Sequence, residues 1–134
     1  MNTETILEEG YIVRNCRITR TNIFLDSCNL CYQLELSGAD FNATVGINTM
    51  GSIKFAYDDG SEHPVYLSSG VCGATIMKVM HICGVSSWDA VLGSCIRVAI
   101  KDSKVVMLGH IILEDLWMNN DLMANSTTDY KEFT

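Results

Sequence analysis

The pattern of hydrophobic and polar positions changes its period near residue 68. Before that point apolar and polar side chains alternate, most clearly over 30–37 and 41–48. Strict alternation is typical of half-buried strands, so these two segments predict an antiparallel hairpin over 30–48. Further strands are predicted over 11–19, 23–26 (separate, or a continuation of the first beyond a bend), 53–57, 65–67, 95–100 and 105–113.

After residue 68 the apolar positions recur at helical spacing. The predicted helical stripe consists of Cys72, Ile76, Val79, Met80 and Cys83. A serine N-cap and Gly84 bracket a main helix of about 69–83, with Val85 making the apolar contact of a Schellman ending. Ser86–Asp89 has the pattern of a capping box that opens a short helical turn over about 87–92, closed by Gly93.

This order of elements favours an α+β fold. Sequential strands without regular βαβ alternation predict an antiparallel sheet of hairpins, with the main helix and the helical turn packed on it. The chain has 134 residues, which suits one domain. We place that domain at 11–118, between an acidic N-terminal segment (1–10) and a polar acidic tail (119–134) whose end we expect to be mobile.

The charge is concentrated at the two ends. Of the net charge of −7, −3 comes from residues 1–10 and −4 from residues 114–134, whereas 11–113 is neutral. A neutral body with acidic ends does not attract phosphates, so we expect no direct nucleic-acid binding. We also expect no membrane association, because no stretch has the uncharged apolar length of a bilayer span.

Six cysteines raise the question of disulfides or a metal. The first residues lack the basic and apolar regions of a secretory signal, so we expect a cytoplasmic protein with reduced thiols. The Cys28-x-x-Cys31 pair has metal-ligand spacing, and the alternative to packed core thiols is a zinc site. Its donors would be Cys28, Cys31, Cys72, His81 and Cys83. Because Cys28 and Cys31 point to opposite faces of a continuous strand, and Cys72 and Cys83 lie on an apolar stripe, core packing is favoured. We expect no cofactor.

Nothing in the sequence has the pattern of a catalytic motif. His110 lies in an apolar strand, where it acts as a structural group more often than as a general base. A pair of Cys83 or Cys95 with His110 is chemically conceivable, but neither cysteine lies in a nucleophile elbow. We therefore predict no catalytic residues and no enzymatic activity.

The aromatic residues near the end of the chain point to a partner-binding role. Trp88 should fill the junction between the helical turn and the sheet. Trp117 belongs to an apolar cluster beside two acidic residues. Two interpretations fit it: docking on the protein's own sheet, which is the favoured one, or an interface anchor. The candidate partner-binding residues are Glu114, Asp115, Trp117, Met118, Asp121 and Met123.

The segment 84–117 resembles a group of small uncharacterised phage and prophage proteins. The residues that carry the resemblance are Gly84-Val85, Trp88-Asp89, Leu92-Gly93, Ile96-Arg97-Val98, Gly109-His110-Ile111-Ile112 and Trp117. The hairpin over 30–48 lacks the glycine-rich aromatic segment of that group, and no catalytic residue can be carried over. The resemblance implies an accessory protein that works by binding, of which anti-CRISPR-like inhibitors are one class.

These observations lead to a functional expectation. We expect a non-enzymatic, phage-type accessory protein that binds and inhibits a host or defence protein, with acidic groups steering the encounter and Trp117 as the anchor. A small-ligand or metal-binding protein using Cys and His residues is the first alternative, and a structural homo-oligomer is the second.

Overall fold

The computed structural model describes residues 2–68, 72–119 and 127–130, with backbone alone for 47–49, 119 and 127–130. Its elements in chain order are α1 (Thr3–Glu8), β1 (Ile12–Asp26), β2 (Asn29–Gly38), β3 (Phe41–Asp58), β4 (Ser61–Ser68), α2 (Cys72–Cys83), a 3₁₀ turn (Trp88–Ala90), β5 (Cys95–Lys101), β6 (Lys104–His110), β7 (Trp117–Asn119) and β8 (Thr127–Tyr130). No helix in these ranges has the length and apolar character needed to cross a bilayer.

The described strands form one sheet in the order β4-β3-β2-β1-β5-β6-β7. All the pairings are antiparallel, and β8 joins the sheet by pairing with Phe41–Thr44 at the start of β3. This arrangement confirms the predicted α+β fold of hairpins with one main helix. The tight turn at Asp102 and Ser103, both with positive φ, makes the predicted β5–β6 hairpin.

The main core lies between one face of the sheet, called here the inner face, and helix α2. Tyr32, Leu34 and Leu36 on β2 are buried on this face, as the alternation predicted. The residues of α2 that are fully buried are Thr75, Val79 and Ile82. The predicted stripe is therefore rotated on the helix, since its other four members are only partly buried against the core.

Helix α2 begins at Cys72, and the predicted first residues of the helix, 69–71, lie outside the described residues. Its C-terminus ends as predicted, because Gly84 has φ +69 and both Schellman hydrogen bonds form. The N–H of Gly84 donates to the carbonyl of His81 at 3.0 Å, and the N–H of Val85 donates to the carbonyl of Met80 at 3.0 Å. This ending directs the chain back towards the sheet.

The segment after α2 differs from the prediction in its cap. The helical turn is a 3₁₀ turn over Trp88–Ala90, shorter than 87–92, and the Ser87 side chain makes no capping hydrogen bond. The predicted capping box is therefore wrong. Trp88 packs against the core as expected, with its ring edge-on to Tyr32 at a centroid distance of 6.4 Å.

Four strands differ clearly from their predicted lengths. β3 (Phe41–Asp58) joins the predicted strands 41–48 and 53–57, and β4 (Ser61–Ser68) is longer than the predicted 65–67. β1 is one strand of 15 residues with a register shift at Thr19, so 23–26 continues the first strand. β6 ends at His110 instead of Leu113, because the imidazole Nδ1 accepts hydrogen bonds from the N–H groups of Ile112 and Leu113, both at 3.0 Å. These bonds turn the backbone out of the strand.

The opposite, outer face of β5 and β6 is covered by α1. The predicted acidic segment 1–10 thus contains a helix, which starts where the Asn2 side chain accepts a hydrogen bond from the N–H of Thr5. Ile6 is fully buried in a second cluster with Ala99 and Met107, while the glutamates of the segment point to solvent.

The side chain of Arg97 connects β5 with the turn after β6. The guanidinium donates to the carbonyls of His110 at 2.8 Å and Leu113 at 2.9 Å, and to the Glu114 carboxylate at 3.3 Å. It also lies 5.4 Å from the centre of the Trp117 ring, in cation–π contact. Arg97 is only 8% exposed, so these partners replace the water it gives up.

We expect Arg97→Met to lower the free energy of unfolding by about 2–4 kcal/mol. The substitution removes the guanidinium and leaves its acceptors without their charge-assisted hydrogen bonds. Urea unfolding measures the change. The matched control is Arg20→Met, whose 3.8 Å ion pair with Glu35 is exposed and should contribute less than about 1 kcal/mol. Equal losses in the two variants would contradict the role assigned to Arg97.

A second prediction concerns pH. The Thr3 hydroxyl and then the Arg97 guanidinium lower the pKa of Glu114 below its ordinary 4.5. A carboxylate with a lowered pKa in the folded state adds stability above its unfolded pKa and loses it as pH falls through the folded value. Between pH 7 and pH 3 we expect Glu114→Gln to show a smaller loss of unfolding free energy than the wild type. Glu62→Gln, which changes an exposed glutamate, is the control. The prediction is refuted if the wild type and Glu114→Gln lose the same unfolding free energy between pH 7 and pH 3.

Candidate interaction surface

Strands β3 and β4 extend beyond the rest of the sheet as a two-stranded ribbon. The last pair between β2 and β3 joins Asn29 to Ser52, whereas β3 continues to Asp58 with β4 as its partner. Six residues at about 3.3 Å each give a projection of about 20 Å. The turn at its end has Asp59 and Gly60 with φ +49 and +78, as a type I′ hairpin requires.

One face of this ribbon is apolar and aromatic. Directly opposite residues of antiparallel strands share a face, and Ile53 lies opposite Tyr66 while Phe55 lies opposite Pro64. Tyr57 shares the same face. Phe55, Tyr57 and Tyr66 are 53%, 76% and 75% exposed, so large ring surfaces are open to solvent.

This apolar face is the continuation of the inner, core-facing side of the sheet. β3 has an irregularity between residues 47 and 51, after which Gly51 lies opposite Leu30, whose side chain packs against the core. Ile53 and the aromatic residues follow Gly51 on the same side. Ile23 and Leu25 of β1 share this side, since they lie opposite Tyr32 and Leu30. We call this set, in which Ile53 is half-buried and the other residues are exposed, the ribbon surface: Ile23, Leu25, Ile53, Phe55, Tyr57, Pro64 and Tyr66.

A pocket lies at the base of the ribbon surface, where the ribbon meets the core. Its volume is about 360 Å³, and Leu25, Leu30, Met50, Ile53 and Tyr66 line it. Met50 and Leu30 connect it to the main core. A space of this volume with an apolar lining suits a bulky apolar side chain of a partner.

The free end of the ribbon is acidic. Asp58, Asp59 and Glu62 are exposed there, and none of them makes an ion pair with another described residue. Glu62 lies opposite Tyr57, on the aromatic face. The two basic groups of the ribbon, Lys54 and His63, have the other parity and lie on the opposite face.

The sequence-predicted partner-binding residues lie elsewhere, at the other edge of the sheet. Glu114 and Asp115 are exposed, but Met118 is buried in the main core. Trp117 is half-buried, stacks over Gly109 and donates its indole N–H to the Thr3 hydroxyl at 3.2 Å, so it docks on the protein's own sheet. Asp121 and Met123 lie outside the described residues. The role of this set in partner binding stays a prediction.

Sequence reasoning missed the ribbon surface. The alternation at 53–57 predicts a strand but does not show that its apolar residues are left exposed. One sequence signal for this surface is the run of aromatic and proline residues on both sides of a two-residue turn. A two-stranded hairpin is marginally stable alone, so an apolar hairpin of this kind indicates a face that another element or a partner covers.

The cysteines give no metal centre within the described ranges. No three His, Cys, Asp or Glu side chains there lie close enough to hold an ion. The zinc set considered from the sequence does not assemble: Cys28 is exposed in the β1–β2 turn, Cys31 is buried on β2, and His81 is exposed on α2, where Cys72 and Cys83 are partly buried. None of the described thiols forms a disulfide.

Burial makes two of these thiols poor nucleophiles. It raises the pKa of Cys83 to about 11 and that of Cys16 to about 12. Since the thiolate is the reactive form, both groups are protonated and inert near neutral pH. The Nδ1 atom of His110 is occupied by two backbone donors, so this atom serves the turn after β6.

Comparisons of the chain with protein families, curated proteins and solved structures find no match in any of the three.

Proposed function

We propose that this protein acts by binding another protein through the ribbon surface. The observation that carries the proposal is that the core-facing side of the sheet continues for about 20 Å past the core without a covering element among the described residues. Contiguous exposed apolar surface of this kind marks interaction sites. Aromatic residues are enriched in protein interfaces, which favours a protein as the ligand.

The composition of the site supports binding over catalysis. Apolar side chains and hydroxyl groups line the pocket at the base of the ribbon. None of the residues that line this pocket carries an imidazole, carboxylate or amine, and the Tyr66 phenol is its one ionisable group. The chemistry available there is the burial of apolar surface.

The identity of the partner rests on the sequence resemblance. Under it, the partner is a host or defence protein that this chain blocks, in the manner of anti-CRISPR-like inhibitors, inside the host cytoplasm. The exposed carboxylates at the ribbon end, together with those of α1, would increase the rate of encounter with a basic partner. A homo-oligomer held together by the same surface is the competing function.

We expect a pull-down from host lysate to depend on the ribbon surface. Phe55→Ser/Tyr57→Ser removes two exposed rings and should reduce the captured partner at least about tenfold, as loss of central interface aromatics does. Both side chains are more than half exposed, so the variant should fold like the wild type. Quantitative blotting of one co-purified band, with circular dichroism of each bait, provides the measurement.

The matched control is Ile112→Ser/Leu113→Ser, which also removes two exposed apolar side chains but at the turn after β6. It should capture the partner as the wild type does. Trp117→Ala tests the anchor expected from the sequence. If Phe55→Ser/Tyr57→Ser captures normally while Trp117→Ala or the control does not, the ribbon is not the binding surface.

A further inference from the structure

We infer that the partner presents an amphipathic helix with basic side chains, which lies along the ribbon surface face-on and inserts one apolar side chain into the pocket at its base. This inference rests on the proposed function and specifies the chemistry of the partner. Four observations carry it: the position of Pro64, the acidic ribbon end, the spacing of the aromatic residues, and the pocket.

Pro64 disfavours binding by strand addition. β4 is an edge strand, and an added strand would need its outward N–H groups. Hydrogen-bonded and non-hydrogen-bonded pairs alternate along an antiparallel ladder, and counting from the Asp58–Ser61 pair that closes the turn makes Phe55–Pro64 non-hydrogen-bonded. The ring nitrogen of Pro64 thus faces outward without a hydrogen, which interrupts the free edge. This argument applies to the β4 edge; the β3 edge beyond Ser52 also has no neighbouring strand from β2, and we favour the aromatic face over both edges because of its exposed rings.

The charge around that face selects a basic partner. Glu62 lies on it and Asp59 lies in the turn at its end, whereas Asp58 has the parity of Lys54 and lies with Lys54 and His63 on the opposite face. Lysine or arginine side chains flanking the apolar stripe of a helix would meet Glu62 and Asp59. A partner with acidic flanks would be repelled.

The spacing along the ribbon fits a helix. Ile53 and Tyr57 are four residues apart on one strand, which is about 13 Å. A helix rises about 1.5 Å per residue, so apolar residues at i, i+4 and i+8 of one stripe span about 12 Å and would contact Ile53, Phe55 and Tyr57 in succession. The pocket between Leu25, Leu30 and Ile53 would take the side chain at one end of the stripe.

Two other occupants fit the surface less well. A second copy would bring another acidic molecule of charge −7 to the same face, with Glu62 but no basic side chain from its own ribbon face. An anionic membrane would be repelled by the same carboxylates. Both occupants are outcomes of the experiment below.

The probe is a fluorescein-labelled 18-residue peptide of leucine and lysine with its leucines at helical spacing. Its partner probe has glutamate at every lysine position. Fluorescence anisotropy should show that the wild type binds the lysine peptide at least about tenfold more tightly than the glutamate peptide. Phe55→Ser/Tyr57→Ser should weaken the binding of the lysine peptide at least about tenfold, whereas Ile112→Ser/Leu113→Ser should not.

A charge-matched pair of variants separates local recognition from net charge. Asp58→Asn/Asp59→Asn/Glu62→Gln and Glu4→Gln/Glu8→Gln/Glu9→Gln each remove three exposed carboxylates, the first at the ribbon end and the second on the N-terminal segment at β5 and β6. At 0.15 M salt we expect the first variant to bind the lysine peptide about fivefold more weakly than the wild type, and the second less than twofold more weakly. The reason is that salt at this concentration screens interactions between charges more than about 8 Å apart.

Several results would overturn the inference. The first is equal binding of the lysine and glutamate peptides, and the second is equal weakening of binding by the two charge variants. The third is a wild-type dimer in light scattering that Phe55→Ser/Tyr57→Ser converts to a monomer, which would identify a second copy as the occupant. Association with phosphatidylglycerol vesicles that depends on Phe55 and Tyr57 would identify a membrane instead. If peptide selectivity fails while the pull-down still depends on Phe55 and Tyr57, the inference falls and the proposed function stands. If the captured amount of partner does not depend on Phe55 and Tyr57, both the inference and the proposed function are overturned.

Discussion

The limited reach of the elements that cover the inner face is the constraint on which this molecule depends. Helix α2, of 12 residues, packs against β5, β6 and β7, and β6 also contacts β3. β3 has 18 residues and is about 60 Å long, so its end beyond Ser52 extends past these elements and its side chains face solvent or a partner. The core of Tyr32, Leu34 and Val79 and the exposed ribbon surface are therefore two parts of one apolar face.

The outer face of β5 and β6 is covered by α1, and the contacts of Arg97 hold this covering helix in place. Its three acceptors, His110, Leu113 and Glu114, shape the turn that leads from β6 into β7. That turn presents the Glu114 carbonyl, which accepts the N–H of Thr3 at 3.1 Å, and so fixes the start of α1. The covering helix, the indole of Trp117 and the arginine thus support one another. An indole used in this way is unavailable as a free anchor while α1 is docked.

The parts of the fold that could be predicted are those decided by neighbours in the sequence. Alternation at 30–36 depends on the two-residue period of a strand, and the ending at Gly84 depends on a residue that tolerates positive φ; both were confirmed. The capping box predicted over Ser86–Asp89 failed, because the N-cap is Ser87, whose backbone carbonyl accepts the N–H of Ala90 and whose side chain makes no capping hydrogen bond. α1 was missed because a six-residue helix is stabilised by tertiary contacts of Ile6 and not by its own propensity.

The ribbon surface was unpredictable for a related reason. A strand pattern shows which side chains share a face, but what covers that face depends on the length and position of elements distant in sequence. The irregularity between Ile47 and Gly51 adds two residues to β3, an even number, so Ile53, Phe55 and Tyr57 stay on the core-facing side that alternation from Val45 gives them. A one-residue change in this register would move the aromatic residues to the side that carries Lys54 and His63. The register of β3 against β2 therefore places the core and the candidate interface on one continuous face.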